Sequence, residues 1–121
     1  MNYALARDYY SKKQTTSLVS EATANELISL ILQQLVNSLE NYRTVDNRVK
    51  AVGYKSNALV ALFTLQSSLD FEKGGEIAIN LYRLYEFVRL SLLEANDTKK
   101  DNIAQASKLM SEILEAWKQI E

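Results

Sequence analysis

A chain of 121 residues, 47% hydrophobic and 24% charged, fits one soluble domain that buries its own core without disulfide or metal staples. Its 14 Lys and Arg against 15 Asp and Glu leave a formal net charge of −1, with neither the basic field that nucleic acid requires nor an acidic tail. It has no Cys and no His, which excludes disulfides and thiolate zinc sites and removes both the commonest acid–base group near neutral pH and the commonest transition-metal ligand.

The amino terminus, MNYALARDYYSKK, has no cationic segment followed by an apolar block and does not read as a signal peptide. No apolar run approaches the roughly 18 to 20 residues of a membrane span. A soluble cytoplasmic protein, without membrane insertion, is therefore expected. Residues 1–19 are weakly periodic but carry Tyr3, Leu5, Tyr9 and Tyr10. They read either as a frayed terminus with aromatic residues resting on the body or as a strap that occupies a groove until a partner displaces it.

Thr23-Ala24-Asn25-Glu26 has the form of a capping box, in which the first side chain and the fourth satisfy each other's backbone N–H. Leu27, Ile28, Ile31, Leu35, Leu39 and Tyr42 follow at helical spacing, with Leu30, Leu32 and Val36 broadening the face. The first helix is predicted from about Thr23 to Arg43. Asp46 is the expected cap of a second helix, whose stripe is Ala51, Ala58, Leu62, Leu65 and Leu69, flanked by Val52, Leu59 and Phe63. Gly53 lies inside this helix, where it costs about 1 kcal/mol relative to Ala; close approach of a neighbour or simple tolerance accounts for it.

Gly74-Gly75 marks the turn into a third helix. Lys73 beside the pair suggests a phosphate cradle, but the loop follows a helix and GxxxxGK[ST] is not present, so a structural turn is favoured. Ile77, Leu81, Leu84, Val88, Leu92 and Ala95 form one stripe. Ile79, Tyr82, Phe87, Leu90 and Leu93 fall mostly outside it, where a helix buried on one side should be polar. This helix either meets more than one neighbour or presents an apolar surface to a partner. After a break at Asn96 to Lys100, Thr98 or Asp101 caps a fourth helix with a heptad-like stripe of Ile103, Ala106, Met110, Ile113, Trp117 and Ile120.

Four amphipathic helices, short connections and no proline point to an all-α, antiparallel up-down four-helix bundle spanning 23–121, with 1–19 as a short strap and the whole chain as one domain. The chemistries that bundles host find no support. Di-iron and haem sites want His, and the inner stripes lack the paired carboxylates of acid–base catalysis. No enzyme, cofactor or metal is expected. The candidate partner-binding residues are Ile79, Tyr82, Phe87 and Leu90 on the third helix with Val60 and Phe63 on the second. Tyr9 and Tyr10 are placed over or near the resulting groove.

The segment LDFEKGGEIAINLYRLYEF, Leu69 to Phe87, resembles the hallmark of the flagellar secretion chaperone family FliS, close to LD-x-EKGGEIA-x-NL-x-x-LY-[DE]. LLEAN, Leu92 to Asn96, and EAWKQI, Glu115 to Ile120, are similar to the same family's closing elements. Thr23 to Ile28 is similar to its Ser-Pro-x-[EQ]-Leu-Ile helix start, with Ala24 where the family has Pro. Leu32-Gln33-Gln34 stands where the family carries a Tyr-Asp-Gly-like sequence.

The resemblance implies a cytoplasmic helical bundle that binds the carboxy-terminal segment of flagellin, prevents premature polymerisation and keeps the subunit competent for export. It also implies an amino-terminal segment that covers part of the groove, other flagellar regulatory or export proteins as further partners, and a monomer or weak homodimer. The alternative is a structural or adaptor bundle that binds another amphipathic helix or its own copy.

Overall fold

A computed structural model of the chain describes residues 18–96 and 100–119, with side chains from residue 26 onward. Four helices run in order: α1, Leu18–Thr44; α2, Arg48–Ser67; α3, Phe71–Glu94; and α4, Asp101–Gln119. α1 packs on α2 and α4, and α3 packs on the same two helices, while among the described residues the diagonal pairs bring no backbones close together. Cross-helix bonds fix the directions. Ser107 reaches Glu40 and Lys118 reaches Gln33, so α4 runs against α1; Lys55 reaches Ala95 and Gln66 reaches Glu86, so α3 runs against α2. This is the up-down four-helix bundle that the periodicity predicts.

The core comes from one face of each helix. Leu32, Leu35 and Leu39 of α1 meet Ala58, Leu62 and Leu65 of α2, with Leu81, Tyr85, Val88 and Leu92 of α3 and Ile103, Met110, Ile113 and Trp117 of α4; all are wholly inaccessible. α1 and α2 form the closest pair, because Ala51, Ala58 and Ala61 let the two backbones approach. The expected stripes of α2 and α4 are buried as read from the sequence, apart from Ile120, which lies outside the described residues. On α3 the buried face turns by about one residue. Ala78 and Tyr85 are wholly buried, while Ile77 and Leu84 are only half-buried.

The helix ends differ from expectation in three places. α1 is already helical at Leu18, the first described residue, so Thr23 is an interior residue and not a cap; the helix formers Glu21 and Ala22 carry the helix past the capping pattern. α2 is capped by Asn47, whose side chain accepts from the Lys50 N–H at 3.0 Å, and not by Asp46 one residue earlier. Asp101 opens α4 as a first-turn residue, and Thr98 lies outside the described residues.

One end of the bundle is tied by two lysines. Lys100 Nζ donates to the carbonyls of Tyr42, at 2.7 Å, and Val45, and stands 4.5 Å from the Tyr42 ring centroid. Lys55 Nζ donates to the Ala95 carbonyl and lies 6.0 Å from the same ring. Each ammonium thus sits at the carbonyl end of a helix, α1 or α3, where positive charge offsets the dipole, and both add cation–π attraction to a buried tyrosine.

Candidate partner-binding surface

α4 is a one-sided helix: no large hydrophobic side chain on it is exposed, and Lys108, Glu112, Glu115 and Lys118 face water. α2 and α3 are built differently. On α2, Val60 and Phe63 are 65% and 71% exposed, and no charged residue occurs from Ser56 to Leu69. On α3, Ile79, Tyr82, Phe87 and Leu90 are between 39% and 46% exposed. Neighbouring helices do not cover these six residues, so the wide apolar face of α3 is not explained by internal packing alone. Tyr9 and Tyr10 lie outside the described residues.

Helical geometry sorts the six residues. The bond from Gln66 Nε2 to Glu86 Oε1, 3.3 Å, marks the sides on which α2 and α3 face each other. At about 100° per residue, Tyr82 lies about 40° from Glu86 and Phe63 about 60° from Gln66, so these two flank the valley between the helices. Ile79 and Leu90 ride on the crest of α3, opposite its buried face. Val60 lies on the far side of α2, toward α1. Phe87, about 140° round from Tyr82, leans toward α4. The residues therefore do not line a single groove; they form a broad apolar surface across adjoining faces, with the Phe63–Tyr82 valley at its centre.

That surface is wider than the sequence reading proposed. Phe71 and Leu93 on α3, Val49 and Val52 on α2, and Leu27 and Leu30 on α1 are also exposed; Leu27, expected in the α1 stripe, stands about 100° round the helix from buried Ile28 and so falls outside the core face. Leu93 carried a readable signal, because Ile79, Tyr82, Leu90 and Leu93 share one outward side at helical spacing, a second stripe opposite the first. Phe71 carried none, because its position depends on the backbone at Gly75. Asp70 caps the first turn of α3 by accepting from the Lys73 N–H at 3.1 Å. Gly75 then adopts φ 51° and ψ −129°, near the first central position of a type II′ turn, which favours glycine. The long run of α3 starts beyond it, so the Gly-Gly pair is a structural turn, with Gly75 making the reversal. The Phe71 and Tyr82 rings meet edge-on, centroids 5.9 Å apart.

The ionic groups near this surface are local pairs. Arg89 donates through Nε and Nη2 to the Glu86 carboxylate, the latter at 2.8 Å, and this bonding holds the Glu86 pKa down at about 2 against partial desolvation. Across the bundle, Arg43 donates to both oxygens of Glu40 at 3.1 and 2.9 Å, and the Ser107 hydroxyl donates at 2.6 Å. These bonds, Arg43 first, lower Glu40 to about 2. Among the described residues there is no acidic group gathered to hold a metal ion, and no helix is long and apolar enough to cross a membrane. The arrangement offers apolar area, an aromatic pair and a few fixed polar bonds; it suits helix recognition.

Comparison with known proteins identifies the family. The family model described as flagellar protein FliS matches residues 6–121. The chain is 34% identical over 116 residues to the flagellar secretion chaperone FliS of Salmonella typhimurium, covering 92% of this chain and 86% of that one. It is 31% identical over 120 residues to the flagellar secretion chaperone FliSB of Pseudomonas aeruginosa, 95% of each, and 26% identical over 115 residues to the Vibrio cholerae FliS, 92% and 85%. With its helical bundle and the Leu69 to Glu86 segment in place, the chain belongs to the FliS family of flagellar secretion chaperones.

Proposed function

We propose that the protein is a non-enzymatic chaperone that binds the carboxy-terminal segment of flagellin in the bacterial cytoplasm, prevents its premature polymerisation and keeps it competent for export. The observation that carries this reading is the second apolar side of α3, where Ile79, Tyr82, Leu90 and Leu93 face outward although the core on the opposite side is complete. An amphipathic helix that lacks a partner in its own chain presents the matching stripe. A segment disordered as a monomer can fold onto such a surface, giving up affinity per unit area but wrapping a large one and remaining releasable. Family membership supports the chaperone role, and the exposed surface supports the helical client. In this proposal the chain acts as one domain, and residues 1–19, with Tyr9 and Tyr10, compete for the surface.

The test is titration of the full chain with a peptide of the flagellin carboxy-terminal segment. Tyr82→Glu should weaken binding by more than about tenfold, since a charge is placed in an apolar contact, while the melting transition stays nearly unchanged because Tyr82 is outside the core. Deleting residues 1–11 should keep the fold and tighten or speed capture. Wild-type protein that ignores the peptide but gains mass with concentration would replace this reading with self-association. A truncated protein that binds nothing would make the strap part of the site and not its competitor.

A further inference from the structure

In an uninterrupted helix, Phe71 and Tyr82, three turns apart, would stand about 16 Å from each other along the axis. Both side chains would tilt toward the amino terminus, so their rings could not close that gap. The rings nevertheless meet at 5.9 Å with an interplanar angle of 61°. What separates the two cases is Gly75, whose φ of 51° and ψ of −129° folds the Asp70-capped turn back against the start of the long helical run. A Cβ at Gly75 would meet no atom within 4 Å, so glycine is required there for its backbone angles and not for space.

The result adds little to the core. Phe71 is 47% exposed and Tyr82 40%, and a pair left this open removes only modest apolar area from water. What it does is restrict one ring. Tyr82 is held by its edge-to-face contact with Phe71. A ring already fixed loses less rotamer freedom when a partner covers it, which favours binding without any new contact.

Resting on the client-binding reading above, we infer that Phe71 is a positioning residue for the flagellin-binding surface: the backbone reversal at Gly75 folds it onto Tyr82, and the resulting edge-to-face pair is a pre-set shelf for an aliphatic side chain of the client helix. Phe71 thus acts through Tyr82, and the pair sets where along α3 the client helix comes to rest.

A double-mutant cycle on the full chain tests this, read by affinity for the flagellin carboxy-terminal peptide with thermal melting measured in parallel. Phe71→Ala should weaken binding about three- to tenfold, the value of an aromatic pair, and Phe71→Tyr should restore it to within about twofold on the same scale. In a Tyr82→Ala background, Phe71→Ala should change affinity by less than about twofold, because the ring it positions is gone. The melting temperature should hold in the Phe71 and Tyr82 variants. Gly75→Ala, itself destabilised, should reproduce the Phe71→Ala loss; the Phe71 cycle decides the matter if that variant does not fold. Wild-type affinity in Phe71→Ala, an equal loss in both backgrounds, or a Phe71→Ala loss that tracks lowered melting overturns the inference and leaves the client-binding reading intact. A wild-type protein that does not bind the peptide overturns both.

Discussion

Gly53 and Gly75 lie in helical stretches of the same protein, and the same substitution at each should act in opposite directions. Gly53 sits inside α2, is exposed, and has nothing within 4 Å of the position a Cβ would take. It is tolerated, then, and not required by close approach. An added methyl there meets no clash and reduces the freedom of the unfolded chain, so Gly53→Ala should stabilise by about 0.5 to 1 kcal/mol. For a domain of this size that raises the melting temperature by about 2 to 4 °C. Gly75 also has free space around it, but its φ of 51° with ψ of −129° is a conformation that side chains with a Cβ rarely adopt. Gly75→Ala should therefore cost about 1 to 3 kcal/mol, either as strain or as the loss of the turn that carries Phe71. The two variants should differ by about 1.5 to 4 kcal/mol when these ranges are combined. Urea unfolding monitored by circular dichroism measures this directly, provided the denaturant slope is common to both. A destabilising Gly53→Ala would mean that the outer face of α2 is covered in solution. A neutral Gly75→Ala would refute the backbone argument and remove the reason given for the placement of Phe71.

Trp117 is wholly buried, so Trp117→Ala should cost about 3 to 5 kcal/mol, and a melting temperature that barely moves would place the α4 register in error. Acid should destabilise in a defined window. Glu40 and Glu86 are lowered from 4.5 to about 2, so their contribution is complete above pH 4.5 and is lost as pH falls from there toward 2. Because the two side chains are 46% and 29% exposed, solvent screening limits each pair to about 0.5 to 1 kcal/mol. Glu40→Gln should lower stability at neutral pH by about that amount and flatten the loss below pH 4.5; an unchanged acid profile would remove Glu40 from the account.

How far each element could be read depended on how many of its sides are apolar. α4 is polar on all but one side, so its stripe from Ile103 to Trp117 was fixed by spacing alone, and every member is inaccessible. α3 is apolar on nearly every side, so two stripes offset by a residue fit almost equally well. The buried one takes Ala78 and Tyr85 in preference to Ile77 and Leu84. The proposed binding surface was legible through that same ambiguity: Ile79, Tyr82, Phe87 and Leu90 stood out as residues that no single buried face could absorb, and all four are exposed. What spacing could not supply was direction relative to neighbours, which puts Val60 and Phe87 on outer flanks. Nor could it supply the Phe71–Tyr82 contact, since a Gly-Gly pair announces a turn without stating where the turn sends the preceding residue.

In the proposed function, stability and binding are carried by opposite sides of the same helices, and the arrangement of charge accounts for how they coexist. The outward side of α2 from Ser56 to Leu69 has no ionic group, whereas α3 and α4 together carry Glu72, Lys73, Glu76, Arg83, Glu86, Arg89, Glu94, Asp101, Lys108, Glu112, Glu115 and Lys118. Along α3 these charges alternate in sign and stand among the exposed apolar residues, as Glu86 does between Tyr82 and Leu90. Broad apolar patches on soluble proteins mark partner sites or aggregation hazards; interspersing them with charge favours the first, because another copy offered in the wrong register meets unpaired charges. A client helix that places its own polar residues opposite Arg83, Glu86 and Arg89 escapes that penalty. Selectivity on α3 would then rest on the charges between the apolar contacts as much as on the contacts themselves, while the stretch of α2 beyond Lys55, which has no charge, supplies area with little discrimination. Substitutions on the crest of α3 should accordingly change which helix is bound, and substitutions on the outer side of α2 should change mainly how tightly.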